Sequence, residues 1–324
     1  PEKEIHSLAD LTAQWRQRAG NILGGDATGW AREVTANEPP LLLRADDLPL
    51  DVVRGLGASV VTAVGERRST WRRWNLTAEA ARQTMRYRFA STRDRETIIG
   101  MVVDVAETVS LRLTPPELAS SPAVFRRSDE TSVFRPKNST VFSSGELLDA
   151  EGRLLQLAHT TTGPTVPLAT VERVTRKPDR EGLVLGEDQA SALTKIAVSG
   201  RVVDLLVGPA GAGKTTAMYA LRRAWEKEHG QGSVVGLAPS SSAAHVLAED
   251  LGIATENTAK WWQNHLRDGE TFQPGQLVIV DEASLAGTLS LDRIAQLAAE
   301  AGAKMLLVGD YAQLQAVDAG GAFG

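Results

Sequence analysis

Eight consecutive residues, Gly208-Pro209-Ala210-Gly211-Ala212-Gly213-Lys214-Thr215, have the spacing G-x-x-x-x-G-K-[ST] of a loop that wraps phosphate. Glycines let successive backbone N–H groups curl around phosphate oxygens without a Cβ clash. A helix opening near Lys214 would add the positive end of its dipole. The main-chain amides from Gly208 to Thr216 would then line a triphosphate, Lys214 could bridge its β- and γ-phosphates, and the Thr215 hydroxyl could ligate Mg²⁺. A second group, "VIVDEAS", places Asp281 67 residues after Lys214, at the end of an apolar run. A carboxylate there can hold Mg²⁺ through a water, and the adjacent Glu282 can polarise an attacking water. A third, "LLVGDYAQLQAV", ends its apolar run at Asp310. Three residues on, the Gln313 amide could hydrogen-bond the γ-phosphate or orient that water. Taken singly, these are a glycine turn with a solvated lysine, two surface acids and a polar loop residue. Taken in this order they point to nucleotide hydrolysis.

Such residues need a scaffold that brings distant segments to one edge. Residues 183–324 contain four apolar runs, "VVDLLVG" (202–208), "SVVGLAP" (233–239), "QLVIVDE" (276–282) and "KMLLVGD" (304–310). Helical segments are expected at about 214–229, 242–251 and 285–301. Continuously apolar strands separated by helices imply a parallel sheet covered on both faces. In such sheets the ligand lies at the carboxyl ends of the strands, where all three groups fall.

Residues 1–180 have no strand–helix rhythm, and the breaks "NEPP", "TPPE" and "RRSDETSVFRPKNST" interrupt them. The pattern implies a smaller, largely helical domain ahead of the sheet. In "STWRRWNLTAEAARQTMRYR", Trp71, Trp74, Ala78, Ala81 and Met85 share one face at helical spacing, which predicts an apolar stripe. "SSGELLDAEGRLLQLAHT" predicts another helix, with Ser143 or Ser144 as N-cap and Glu146 three residues after Ser143. Residues 67–95 carry nine arginines against Glu79 and Asp94. Arg72, Arg82 and Arg86 fall on one flank of the expected helix. Phosphate neutralisation beside aromatic rings is how a single strand is held without sequence preference. A solvated arginine face and a DNA contact both fit, while Trp71 and Trp74 read as core. Of the adjacent Trp261 and Trp262, one should be buried. The other, taken as Trp262, is a candidate for stacking or docking.

Composition sets bounds. The chain has 324 residues, which favours two domains, and a formal net charge of −5, which argues against a uniformly basic nucleic-acid binder. Cysteine is absent, so there are no disulfides or thiolate metal sites, which fits a cytoplasmic setting. No apolar run is long enough to cross a bilayer. Starting at Pro1 and stopping in "DAGGAFG", the sequence reads as a piece of a longer polypeptide.

The three groups, in order and spacing, resemble motifs I, II and III of superfamily 1 helicases, and within them the RecD-like class that moves 5′→3′. "LGEDQASAL" (185–193) resembles the Q-motif, which makes Gln189 the match to the glutamine that reads adenine. "APSSSAAHVLAEDLG" (238–252) resembles motif Ia, which touches the DNA backbone; Ser240, Ser241 and Ser242 are the phosphate-contact candidates, and helix capping is an equally compatible role. "TENTAKWW" resembles the following RecD-like segment, with Ala259 or Lys260 where histidine is usual. A finer resemblance is to the helicase portion of TrwC/TraI-type conjugative relaxases, the MobF family. It rests on "ERRSTWRRWNLTAEAARQ", "LRLTPPE", "ELLDAEGRLL" and "GDYAQLQAVDAGGAFG", where Gln315 and Ala316 depart from the usual RecD-like ending.

The resemblance implies a RecA-like ATPase domain over 181–324 and an accessory domain over 1–180. It also implies MgATP, single-stranded DNA, a relaxase domain and a second RecA-like domain of the same polypeptide, and a conjugative coupling protein as partners. The relaxase's clustered histidines and paired tyrosines have no counterpart in the isolated His6, His159, His229, His245 and His265 or in Tyr87, Tyr219 and Tyr311. Nicking chemistry is therefore not expected in this segment. Two other readings stay open: a RecD-like repair helicase with no relaxase attached, and a vestigial helicase domain that binds DNA without hydrolysing ATP.

Overall fold

A computed structural model of the chain describes residues 7–36, 42–115, 121–128, 132–176, 185–209 and 211–310. The amino-terminal part is helical. Helix α1 (Leu8–Leu23) starts at a Ser7–Asp10 capping box and packs on α2 (Ala27–Ala36). Then α3 (Leu50–Gly65), α4 (Arg73–Gln83) and α5 (Thr92–Val109) pack together around Val53, Leu56, Val60, Leu76, Ala80, Ile98 and Val102. Gly57 lets α3 and α5 approach closely: a Cβ there would lie 2.5 Å from a Val105 methyl. Strands β1 (Leu111–Arg112) and β2 (Phe142–Ser143) form a short antiparallel pair beside this bundle.

The helix expected across 71–88 is shorter, and its buried face differs. Trp71 precedes α4 as an isolated bridge to Phe142, with its indole N–H donating to Ser110 Oγ at 3.1 Å, and it is fully buried. Within α4 the inward residues are Leu76, Glu79 and Ala80. Trp74 is 50% exposed and Met85 73% exposed, so the stripe drawn through them and Ala78 is not the core face. Periodicity misleads here because α4 ends at Thr84, and because the Arg72 guanidinium, 5.0 Å from the Trp74 ring centroid, covers part of that ring.

Helix α6 (Gly145–His159) follows, capped by Ser144, whose hydroxyl accepts from Leu147 N. Ser143 lies instead in β2 and donates to Ser69 O at 2.8 Å. After α7 (Leu168–Thr175) and α8 (Glu187–Val198) comes a five-stranded sheet. In chain order its elements are β3 (Val203–Val207), α9 (Lys214–His229), β4 (Val234–Ala238), α10 (Ser241–Leu251), β5 (Ala254–Asn257), α11 (Thr258–Asp268), β6 (Leu277–Val280), α12 (Thr288–Glu300) and β7 (Lys304–Gly309). All strand pairs are parallel, in the order β3-β7-β6-β4-β5. The four apolar runs read in the sequence are β3, β4, β6 and β7. Two apolar cores cover the sheet, one with Leu193, Leu221, Trp225 and Leu251, the other with Trp261, Leu291, Ile294 and Ala298. Among the described residues no helix is long and apolar enough to cross a membrane.

Candidate nucleotide site

Strand β3 delivers the glycine loop directly into α9. Gly211 and Gly213 have φ of 77° and 74°, the left-handed region that a side chain disfavours. Gly213 is the N-cap of α9 and brings no side chain to its first-turn N–H groups. Those of Lys214, Thr215 and Thr216 therefore face an incoming anion without a competing cap. Lys214 Nζ donates to Gly208 O at 2.5 Å and Pro209 O at 3.0 Å, so the ammonium sits over the loop. Gly208 N donates to Gly309 O at 3.3 Å, which ties the loop to the end of β7, and Ala212 N donates to Pro209 O at 3.2 Å. Ala210 and Gln313 lie outside the described residues.

The acidic pair leaves β6. One strand, β7, separates β3 from β6, so the two loops stand about 10 Å apart at the same edge of the sheet. Burial pushes the Asp281 carboxyl above its ordinary pKa, opposed by a hydrogen bond from Glu282 N (2.9 Å to Oδ1) and by the charge of Lys214. Asp281 and Lys214 thus sense one another across the site. Glu282 has φ 50° and ψ 36°, a left-handed conformation that costs a non-glycine residue about 1 kcal/mol. It turns the chain from β6 into the short helix Ala283–Leu285. Asp310, buried at the end of β7, stands between the two loops.

Thr215, exposed in the first turn of α9, and Asp281 supply a hydroxyl and a carboxylate, hard oxygen donors that suit Mg²⁺. Among the described residues no cluster of three or more His, Cys, Asp or Glu could hold a metal. Two protein oxygens fit an ion that draws its remaining ligands from phosphate and water. Gln189, in the first turn of α8, accepts from Gly186 N at 3.1 Å and donates to Ala212 O at 3.2 Å. Its amide therefore braces the glycine loop from behind, a link invisible in a linear motif.

The DNA candidates fall in two places. Ser240 caps α10, accepting from Ala243 N at 3.1 Å, and its hydroxyl is 3.0 Å from that of Ser242; Ser241 and Ser242 are exposed. Beside them Asn257 caps α11 and donates to Pro239 O at 3.0 Å, so the two helix starts form one edge. Asn257 escaped the sequence reading, although an asparagine ahead of "TAKWW" is a capping signal. Trp261 is buried, stacked on Phe272. Trp262 is partly buried on the same core, with Arg293 over its ring at 5.5 Å. In the helical part, Arg72 lies over Trp74 and Arg86 over Tyr87. Arg82 pairs with the buried Glu79. The three arginines are exposed, but a cap, a helix end and a following turn carry them, not one helical flank.

A parallel sheet with a glycine loop on one strand, an acidic pair two strands away and an intervening strand between them defines a RecA-like P-loop NTPase fold. Residues 184–324 match a family model described as an AAA domain. Over 139 residues the chain is 37% identical to the conjugal transfer protein TraA of Rhizobium radiobacter and 35% identical to a probable conjugal transfer protein TraA of Sinorhizobium fredii; each match covers 43% of this chain and 12% of the relative. Over 186 residues it is 36% identical to the ATP-dependent RecD2 DNA helicase of Deinococcus radiodurans, covering 54% of this chain and 24% of that protein. The chain is thus similar to conjugal transfer proteins and to a RecD-type helicase, as its motifs imply, and spans a minor part of either.

Proposed function

We propose that this segment binds MgATP and single-stranded DNA as part of a 5′→3′ DNA helicase, in the helicase portion of a conjugative relaxase. Residues 181–324 serve as the first RecA-like ATPase unit and residues 1–180 as an accessory unit that contacts DNA. The observation that carries the reading is the pairing of the Gly208–Thr216 loop with Asp281 and Glu282 at one sheet edge, with the Lys214 charge reaching the Asp281 carboxyl. Lys214 and the first-turn amides of α9 bind the phosphates. Glu282 takes the proton of the attacking water, and Gln313 orients that water. Mg²⁺ held by Thr215 and Asp281 would neutralise charge developing on the phosphates. The arginine that completes such a site comes from a second RecA-like domain, so residues 1–324 alone bind nucleotide weakly and do not unwind DNA. The relaxase domain, the second RecA-like domain and a coupling protein are the expected partners, in the cytoplasm.

Equilibrium binding of a fluorescent ATP analogue with Mg²⁺ tests the site. Lys214→Ala and Asp281→Asn should each weaken binding at least tenfold, about 1.4 kcal/mol. Equal affinity in all three proteins refutes it. A RecD-type helicase with no relaxase is the second reading, favoured by the longer stretch over which RecD2 aligns. Three clustered histidines encoded upstream in the same polypeptide would decide for the relaxase.

A further inference from the structure

One helix belongs to both halves of the molecule. On α6, Leu147 sits in the amino-terminal core with Trp71 and Phe142, while two turns later Leu154 sits in the sheet core with Val202 and Val280. The chain leaving α6 is tied to the strand that carries the glycine loop, since Val202 N donates to Thr160 O at 2.9 Å. Between those leucines, on a neighbouring face, Arg153 reaches across to α12. Its Nε lies 3.1 and 3.2 Å from the two Asp292 oxygens and its Nη2 2.7 Å from Oδ2. Asp292 is 3% exposed, and Gln296 Nε2 donates to the same carboxylate at 2.8 Å. In the first turn of α12, Leu289 packs against the amino-terminal core.

The far end of α12 is not where the chemistry lies; its near end is. Only six residues, Glu282 to Gly287, separate Asp281 from Thr288, and they include left-handed Glu282. Ala283 and Ala286 are buried against the sheet, so the segment has little room to move independently of the helix. A shift of the acid loop on nucleotide binding would thus be carried into α12. A bidentate arginine–carboxylate contact fixes both distance and orientation, which a purely apolar contact does not. That makes it suited to transmitting a small rotation between packed helices.

We propose that Arg153 and Asp292 form a positioning clamp that couples the acid loop to the arginine-bearing amino-terminal helices, so that DNA held there changes the rate of ATP turnover. The proposal rests on the ATPase and DNA-binding reading above. Neither residue touches nucleotide; both act through the placement of α12.

The test uses the full-length polypeptide with Arg153→Gln, Asp292→Asn and the exchanged pair Arg153→Asp/Asp292→Arg. Basal ATPase, ATPase with saturating single-stranded oligonucleotide, oligonucleotide affinity and thermal unfolding are measured for each. The single variants should keep basal ATPase, KM for ATP and oligonucleotide affinity within about twofold, and should lose at least tenfold in DNA stimulation. The exchanged pair should regain a substantial part of it. A role in folding alone would lower basal and stimulated rates together, and that result overturns the clamp. Stimulation that survives intact in both single variants also overturns it. A wild type whose ATPase ignores DNA would instead refute the underlying functional reading. If Asp292→Asn fails to fold, Arg153→Gln and Arg153→Lys decide alone, because the Arg153 side chain is 42% exposed and Gln296 still donates to the Asp292 carboxylate.

Discussion

Lys304 is fully buried at the start of β7, with Nζ 2.7 Å from Asp204 Oδ2 and donating to Ser199 O at 2.5 Å. The contact with Asp204 is an ion pair without well-aligned hydrogen-bond geometry at Oδ2. It staples β7 to the strand that bears the glycine loop, at the end of the sheet away from that loop. Removing one partner of a buried pair typically costs about 3–5 kcal/mol, because the other charge is left in low dielectric. Arg201 Nη1, 3.9 Å from Asp204 Oδ1, would still offset part of that charge, so Lys304→Met is expected to cost about 3 kcal/mol. Replacing both, as Asp204→Leu/Lys304→Met, removes the charge problem and leaves Ser199 O without its donor, a loss of about 1 kcal/mol. The double variant should therefore fall within about 1 kcal/mol of wild type in urea unfolding at pH 7. A double variant as unstable as the single, or a single within 1 kcal/mol of wild type, would refute the reasoning. Burial also pushes the Lys304 pKa down, against the charge of Asp204. Between that lowered value and the ordinary lysine value, the unfolded chain holds more protons than the folded one. Stability attributable to this residue thus rises with pH across that window, and below it the cost of burying the ammonium is fully present. The difference between wild type and Lys304→Met should widen as pH is raised into the ordinary lysine range.

Glu282→Gln keeps the left-handed turn but removes the proposed base: nucleotide affinity should stay within about threefold while ATP turnover by the full-length protein falls at least a hundredfold. Glu282→Gly should abolish turnover as well and raise stability by up to about 1 kcal/mol in urea unfolding, since glycine accepts that backbone without strain. Trp71→Ala should destabilise by about 3–5 kcal/mol through cavity formation and removal of the bond to Ser110, whereas Trp74→Ala, at a half-exposed ring, should cost under about 1 kcal/mol. For single-stranded oligonucleotide, the slope of log affinity against log salt should fall by about 0.7 for each phosphate that Arg72→Ala or Arg86→Ala leaves without its cation. A smaller change is expected for Arg82→Ala, because Glu79 already holds that guanidinium, and identical slopes in all three would remove this surface from the DNA path.

The candidate nucleotide edge was legible because each of its parts is local. A glycine loop needs glycines at fixed offsets, and an acid ending an apolar strand is visible as such. Thus Lys214, Thr215, Asp281 and Glu282 lie where the motif spacing and the strand pattern together put them, and β3, β4, β6 and β7 match the four apolar runs to within a residue or two at each end. Strand β5, "ATEN", passed unread: it is an edge strand of four residues with little apolar content. The stripe through Trp74 and Met85 misled for the opposite reason. Trp74 carries the Arg72 guanidinium over its ring instead of a core, Met85 lies past the end of α4, and periodicity registers neither. The clamp between Arg153 and Asp292 and the pair between Asp204 and Lys304 join residues about a hundred or more positions apart. No spacing rule reaches that far, and charges inside apolar helices and strands read as surface until the partner is in view.

The candidate site's polar groups are already committed to the backbone, and that bears on how tightly nucleotide would be held. Lys214 is bonded to two loop carbonyls, Gln189 to a third, and the Asp281 carboxylate to the next amide. A phosphate recruits Lys214 only by outcompeting Gly208 O and Pro209 O, and hydrogen bonds to a charged donor are worth about 1.5–3 kcal/mol each. A γ-phosphate carries more charge than a carbonyl dipole and would also meet the α9 amides, so exchange would favour the triphosphate, while a diphosphate that reached Lys214 less fully would gain less. On the proposed reading, the loop would distinguish ATP from ADP by what each offers the same lysine. Gln189, bonded to Ala212 O on the loop itself, would link that difference to α8.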